Sequence, residues 1–291
     1  MATFRYDGEG TWLKGNTHIH STNSDGGKTV DELARMYASE GYDFLFITDH
    51  WKPYVGDGKA EFPLLVLDGV ELHGKDARGE FFHIACLGTF HGISEDMGLE
   101  AGMEAARRQG GILILAHPHW TGNAPEDGLR LGVQGVEVYN HVCEWLNGKG
   151  WAGWHWDRML ETDPSLIGLA VDDAHIRPEH PGWNGGWIHV RTAARTQESI
   201  LEAIRRGRFY CSRGPRIHSL SMEGGTVRLH CSPVQRIRLV GWRWKGQRVA
   251  ASGGGDLTEA SFEIPGDDPY VRLEIEDAHG ARAWTNTLLV P

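Results

Sequence analysis

The sequence is poor in cysteine, has no long apolar run and has no surplus of basic residues, and each shortage removes a class of function. Four of the 291 residues are cysteine, at Cys86, Cys143, Cys211 and Cys231, and no two form a C-x-x-C pair. That spacing argues against a thiolate zinc cluster and a disulfide-framed secreted domain; it favours reduced, buried thiols and a cytoplasmic address. No apolar stretch approaches the roughly 20 residues of a membrane span. The first seven residues, Met1 to Asp7, carry neither a basic nor an apolar segment, so no secretory signal is expected. Lys and Arg number 29 against 39 Asp and Glu, a formal charge of −10. A general nucleic-acid surface, which needs clustered cations to release condensed counterions, is therefore not expected. Internal repeats and low-complexity segments are missing too.

What is present is an ordinary globular composition, 40% hydrophobic with 39 Gly and 12 Pro, long enough for one large or two ordinary domains. The chain is organised around Gly15–Gly26, which holds His18-x-His20, Ser21, Ser24 and Asp25, followed by Ile47-Thr48-Asp49-His50. An H-x-H pair on extended backbone puts both imidazoles on one side, because strand side chains alternate with period two.

Thr29 and Glu32 form a capping-box pattern that predicts a helix to about Glu40, with Leu33, Met36 and Tyr37 on one apolar face. Gly41 ends it, and 42–47 is a buried-type strand delivering Asp49 and His50. Further strands are expected at 64–70, ending in Glu71; at 80–87, carrying His83; at 111–116, ending in His117-Pro118-His119; at 133–139, ending in Asn140-His141; and at 166–171, ending in Asp172-Asp173-Ala174-His175. Helices are expected at 98–109, in part of the Trp-rich stretch 142–161, and at 196–206. Apolar strands with polar tips, alternating with helices, predict a parallel α/β architecture with its site at the strand carboxyl ends. From residue 215 short alternating segments at 217–222, 226–231, 236–244, 260–264, 270–276 and 281–290, separated by Gly-rich turns, predict a small all-β sandwich. Two domains follow, 1–214 and 215–291. The sandwich aromatics Trp242, Trp244, Phe262, Tyr270 and Trp284 are read as core or interdomain packing, a ligand face being the alternative.

His18, His20, Asp25, His50, Glu71, His83, His117, Asp173 and His175 thus stand at one edge of the expected sheet. Each alone has an ordinary explanation as a solvated or hydrogen-bonded group. Together, imidazoles and carboxylates suit Zn, Mn or Fe, and the set is too large for one tetrahedral ion, so a polynuclear site with carboxylates bridging two divalent ions is expected.

These segments resemble the PHP family, named for its polymerase-associated and histidinol-phosphatase members. The run from His18-x-His20 to Ser24-Asp25-Gly26 resembles its first motif, Thr48-Asp49-His50 the next, Gly69-Val70-Glu71 the bridging-carboxylate motif, and Ala116-His117-Pro118 and Asp173-Ala174-His175 the later ones. Phe209-Tyr210-x-x-Arg213-Gly214-Pro215, with the β-rich ending Ala283-Trp284-Thr285-Asn286, is similar to the CehA/McbA-like branch, in which a β-sandwich follows the PHP domain. The resemblance implies a distorted (β/α)7-type barrel with a site for two or three divalent metal ions, Zn, Mn or Fe. His18, His20, Glu71 and Asp173 would hold one ion, with Glu71 bridging to a second held by His83 and His117. Asp25, His50 and His175 would hold a third, Asp25 standing where some branches use histidine.

The chemistry expected is hydrolysis of a small, anionic phosphomonoester by a hydroxide bridging two ions, with Glu71 and Asp173 at the reaction centre. Arg177 and Arg213 are candidate phosphate clamps, with a surface or interdomain ion pair as the alternative. His141 is a candidate substrate contact. His119 and His180 are candidate proton donors or supports for the metal ligands. Two other readings stay open: metal-dependent carbamate, ester or amide hydrolysis, and a non-catalytic metal-binding domain presenting a ligand-binding sandwich. Nothing in the sequence specifies an oligomeric state.

Overall fold

In the computed structural model, residues 3–56, 62–252, 255–266 and 268–290 are described. The chain runs through β1 (Thr3–Phe4), β2 (Thr11–Asn16), α1 (Val30–Ser39), β3 (Phe44–Ile47), β4 (Leu65–Lys75), β5 (Phe81–Leu87), α2 (Leu99–Arg108), β6 (Ile112–Leu115), α3 (Pro118–Thr121), α4 (Pro125–Leu131), β7 (Gly135–Asn140), α5 (His141–Asn147), α6 (Gly153–Leu160) and β8 (Ile167–Val171). It continues through β9 (Trp187–Thr192), α7 (Gln197–Arg205) and β10 (Phe209–Ser212). The ending is all strand: β11 (Ile217–Glu223), β12 (Thr226–Val234), β13 (Arg236–Val240), β14 (Gly246–Ala250), β15 (Leu257–Glu263), β16 (Arg272–Glu276), β17 (Arg282–Thr285) and β18 (Leu289–Val290). No described helix is long and apolar enough to cross a membrane.

Strands β2 to β8 lie side by side in chain order. Beyond β2 and β8 the chain closes the ring through a parallel bridge, Ile19 to Ala174, where the His20 N–H donates to the Ala174 carbonyl (3.0 Å) and the Asp173 N–H to the His18 carbonyl (2.9 Å). The expected parallel architecture is present with one exception: β5 runs antiparallel to both β4 and β6. The connection from β4 is a turn in which Asp76 accepts from the backbone of Arg78 (2.9 Å) and Glu80 (3.0 Å). A turn that short makes a hairpin, since a parallel crossover needs a dozen residues or more.

Helix α1 begins where its capping box predicts. Thr29 Oγ1 accepts from the Glu32 N–H (3.3 Å), and Glu32 Oε2 accepts from the Thr29 N–H (2.8 Å). Its Leu33, Ala34 and Tyr37 pack with Ile19, Leu45 and Ile47 under the closing strands.

Strand β9, absent from the sequence-based expectation, pairs antiparallel with β2 and carries the sheet through β10, β17, β16 and β13 to the edge strand β14. The segment expected as one strand over 236–244 ends at Val240 and turns back into β14. A separate antiparallel sheet of β11, β12 and β15 encloses a second core with this extension, built on Val227, Leu229, Ile237, Leu273 and Ile275. Strand β1 pairs with β18, so Phe4 and Tyr6 join that second core. Trp284 and Tyr270 are buried in the barrel core, Phe262 is buried in the sandwich, and Trp244 is 84% exposed.

Candidate metal centre

At the end of β2 the backbone stays extended, and Asn16 fixes it. Asn16 Oδ1 accepts from the N–H groups of His18 and Asp172 (3.3 Å each), while its Nδ2 donates to the Gly186 carbonyl (2.9 Å). His18 and His20 are fully buried, with their Nε2 atoms 3.1 Å apart. The next loop is wound around Asp49, whose carboxylate accepts from Ser21 N (2.7 Å), Ser21 Oγ (2.6 Å) and Ser24 Oγ (2.6 Å). Gly26 closes it against the His20 carbonyl, where a Cβ would lie 2.1 Å from the oxygen. Asp25 is thereby returned to the mouth, Oδ2 lying 3.2 Å from His175 Nε2 and Oδ1 3.7 Å from His20 Nδ1.

Glu71 is the hub. It sits inside β4 rather than after its end, because β4 continues to Lys75 in pairing with β5. Its Oε2 lies 3.1 Å from His18 Nε2, 3.2 Å from His20 Nε2 and 3.1 Å from His50 Nδ1; its Oε1 lies 2.8 Å from His83 Nδ1 and 3.6 Å from His117 Nε2. Asp173 faces it across the barrel, Oδ1 being 3.1 Å from His20 Nε2 and Oδ2 3.8 Å from His117 Nε2.

Three overlapping groups result, with candidate ligand atoms within 4.8 Å of one another: His18, His20, Glu71 and Asp173; His20, Asp25, His50 and His175; and His50, Glu71 and His83. All nine sequence-predicted ligands are brought to this end of the barrel.

The electrostatics are those of an anion-rich box. Burial alone would lower the His18 and His20 values, but Asp173 and Glu71 outweigh it, aided at His18 by Glu137, and raise His18 well above the ordinary range and His20 to about 9. Burial would raise Glu71 and Asp173, yet the surrounding imidazoles hold both carboxyls far below theirs. Positive φ at non-glycine positions clusters here as well: Trp51 (52°), His117 (29°), Asp173 (54°) and Ile176 (49°), each a candidate ligand or beside one. Such backbone costs about 1–3 kcal/mol per residue and persists only where surrounding contacts hold it.

Neither a protein-family model nor a curated protein matches the chain. Among solved structures, a two-domain protein from Bacteroides vulgatus containing a predicted PHP-like metal-dependent phosphoesterase aligns over 96% of this chain and 96% of its own, at 17% identity and a TM-score of 0.56. This chain has the PHP-like fold. A protein from Bifidobacterium adolescentis, described as a candidate metal-dependent phosphoesterase, covers 68% of this chain and 98% of its own length (15% identity, TM-score 0.45). An amidohydrolase from Chromobacterium violaceum, solved with sulfate and no metal, covers 58% of this chain and 90% of its own (17% identity, TM-score 0.39).

Whether the PHP-like barrel end suits metal ions is answered by its unused atoms. Glu71 Oε2, His20 Nδ1 and His117 Nδ1 are buried without a hydrogen bond, although three ring nitrogens stand within 3.2 Å of Glu71 Oε2. Buried polar atoms are normally paired, and lone pairs of imidazole and carboxylate converging on shared points fit borderline divalent cations.

One residue that sequence reasoning missed supports these ligands. Glu137, in β7 and 1% exposed, accepts from His18 Nδ1 (2.6 Å), from the His117 backbone N–H (2.9 Å) and from Asn140 Nδ2 (2.9 Å). Asn140 Nδ2 also reaches Asp173 Oδ2 at 3.1 Å. His73, also missed, places Nδ1 3.2 Å from His50 Nδ1. It stands two residues from Glu71, so strand alternation was the available signal.

Of the other predicted residues, Arg177 and His180 line a cleft of about 210 Å³ over the cluster. His119, His141 and Arg213 do not, which corrects three expectations. Pro118 starts α3, so His119 is turned away from His117 by the helical rotation and meets the Trp151 carbonyl (3.0 Å). His141 opens α5 and meets the Tyr139 hydroxyl (3.0 Å), and the Arg213 guanidinium lies 4.2 Å from the centre of the Tyr139 ring. A larger cavity, about 630 Å³, lies near β1 and the end of α7, and its described lining contains no histidine.

Proposed function

We propose that the protein is a metal-dependent phosphoesterase that hydrolyses a small phosphomonoester. The observation that carries this reading is the convergence of imidazoles and carboxylates on Glu71, beside a cleft in which Arg177 Nε and His180 Nδ1 are buried without partners. The predicted activity of the Bacteroides vulgatus protein points the same way.

His18, His20, Glu71 and Asp173 would hold one ion; Glu71, His83 and His117 a second; and Asp25, His50 and His175 a third. Bound divalent ions supply Lewis-acid charge and make water a competent nucleophile at neutral pH. The chain's own groups do the rest. Arg177 offers a guanidinium N–H to a nonbridging phosphate oxygen, and its planar donor set suits that geometry. His180 is placed to give a proton to the leaving oxygen. The Phe209–Pro215 motif and the β-rich ending support a place in the CehA/McbA-like branch, with the change of domain at 214/215.

Elemental analysis, combined with phosphate release from a panel of nucleotides, sugar phosphates, alkyl phosphates and aryl phosphates, tests the reading on wild type and His117→Ala. The variant is expected to lose metal and activity together while keeping its circular dichroism spectrum. Fully metal-loaded wild type that releases no phosphate from any ester would sink it.

A further inference from the structure

The cleft is chemically two-sided. Its floor is the ligand cluster and one wall carries Arg177 and His180, whose Nε and Nδ1 are buried with no hydrogen-bond partner. An apolar part of the lining consists of Trp120, Val142, Cys143 and Leu146. Val142 and Cys143 are buried, whereas Trp120 and Leu146 keep 38% and 37% of their surface exposed at the mouth. The Trp120 ring stands edge-on to His117, 5.2 Å between centroids, so this apolar wall begins against the ligands themselves.

Resting on the phosphoesterase reading, we infer that the site takes phosphomonoesters whose organic group is compact and apolar, aryl or branched alkyl, in preference to sugar phosphates and nucleotides. With the phosphoryl group on the floor and its oxygens toward Arg177, the ester substituent falls against Trp120, Val142 and Leu146. That part of the lining offers only the Trp120 indole N–H and a weak thiol donor, so buried sugar hydroxyls would lose water without gaining partners. An apolar group there covers exposed Trp and Leu surface instead. Size acts in the same direction: about 210 Å³ is below the roughly 300 Å³ at which sites for drug-sized ligands begin.

The test uses esters of alcohols with similar basicity, so that intrinsic reactivity does not decide the outcome. On the metal-loaded protein, kcat/KM for 3-methylbutyl phosphate is expected to exceed that for glycerol 3-phosphate by about tenfold or more. The ratio should fall toward one in Trp120→Ala and Leu146→Ser, with metal content retained. A ratio at or below one in wild type, a preference for adenosine monophosphate, or a ratio unchanged in both variants would overturn the inference. Calorimetry with benzylphosphonate, which has no ester bond, separates this inference from the phosphoesterase reading. If no ester is turned over, the apolar class stands only if benzylphosphonate binds about tenfold tighter than inorganic phosphate and loses that margin in Trp120→Ala; otherwise both fail.

Discussion

At the scale of single residues, Glu137 decides which nitrogen His18 offers. Its 2.6 Å contact with His18 Nδ1 holds a proton there, so Nε2, the atom beside Glu71 and Asp173, is the one that would face a bound ion. Glu137→Gln keeps the shape but weakens this hold, and supporting carboxylates of this kind are worth about 10–100-fold in metal affinity. Metal titration should show that loss with the melting temperature of the metal-free protein little changed; unchanged affinity would leave Glu137 a structural residue only. Most candidate ligands themselves were legible because they follow the apolar stretch of a strand in a recognisable order. Glu137 was not, because it is embedded in the strand Val136-Glu137-Val138-Tyr139, and its partner lies 119 residues away in sequence. His119 lies off the cleft for a local reason: Pro118 starts a helix, whose rotation turns His119 away from His117.

At the scale of elements, the first motif is a loop whose conformation is set by Asp49 and by the small residue at its end. An alanine at Gly26 would place Cβ 2.1 Å from the His20 carbonyl oxygen and 2.9 Å from the Ser21 carbonyl carbon, both backbone atoms that cannot swing aside. Gly26→Ala is therefore expected to displace Asp25, lowering metal stoichiometry by the ion nearest the mouth and destabilising the fold by about 1–3 kcal/mol; metal analysis and urea unfolding check the two effects separately. Strand β9 makes a different prediction. His189 is 8% exposed, stacks on Tyr210 at 4.7 Å and accepts from Trp187 Nε1 (3.0 Å). Burial, with Lys14 and Arg216 nearby, pushes its pKa down to about 3. The unfolded chain takes up a proton near the ordinary histidine value, about 6.5, whereas the folded chain does not. Stability from this group is therefore complete above pH 6.5 and lost as pH falls toward 3, by about 2 kcal/mol at pH 5. His189→Gln should remove that loss, seen as a smaller difference between urea midpoints at pH 7 and pH 5. Helix α1 and most barrel strands could be read from caps and apolar runs, but β9 could not, since Trp187–Thr192 is short and its pairing partner β2 lies near the start of the chain.

At the scale of the whole molecule, the hydrogen-bonded sheet runs straight across the change of sequence style near residue 215. Strand β17 pairs with β10, Trp284 lies in the barrel core beside Trp151 at 5.6 Å, and Asn286 Oδ1 accepts from the Gly168 N–H (2.8 Å) next to the start of β8. Arg272 reaches Asp157 of α6 at 3.2 Å, and Arg5 donates to Thr287 Oγ1 at 2.9 Å. Composition could place the sandwich after the barrel, but it could not show that the last strands complete the barrel's own packing, because those contacts join residues more than 70 apart. A chain ending at residue 214 would keep every candidate metal ligand yet expose the edge of β10 and leave a vacancy where Trp284 sits. Removing one buried Trp side chain costs about 3–5 kcal/mol, a large part of the 5–15 kcal/mol that holds a typical domain together. Residues 1–214 expressed alone are therefore expected to aggregate or to unfold without a cooperative transition, even with added metal. A soluble 1–214 fragment that binds metal like the full chain and melts cooperatively within a few degrees of it would show that the barrel's stability is independent of the strands that follow.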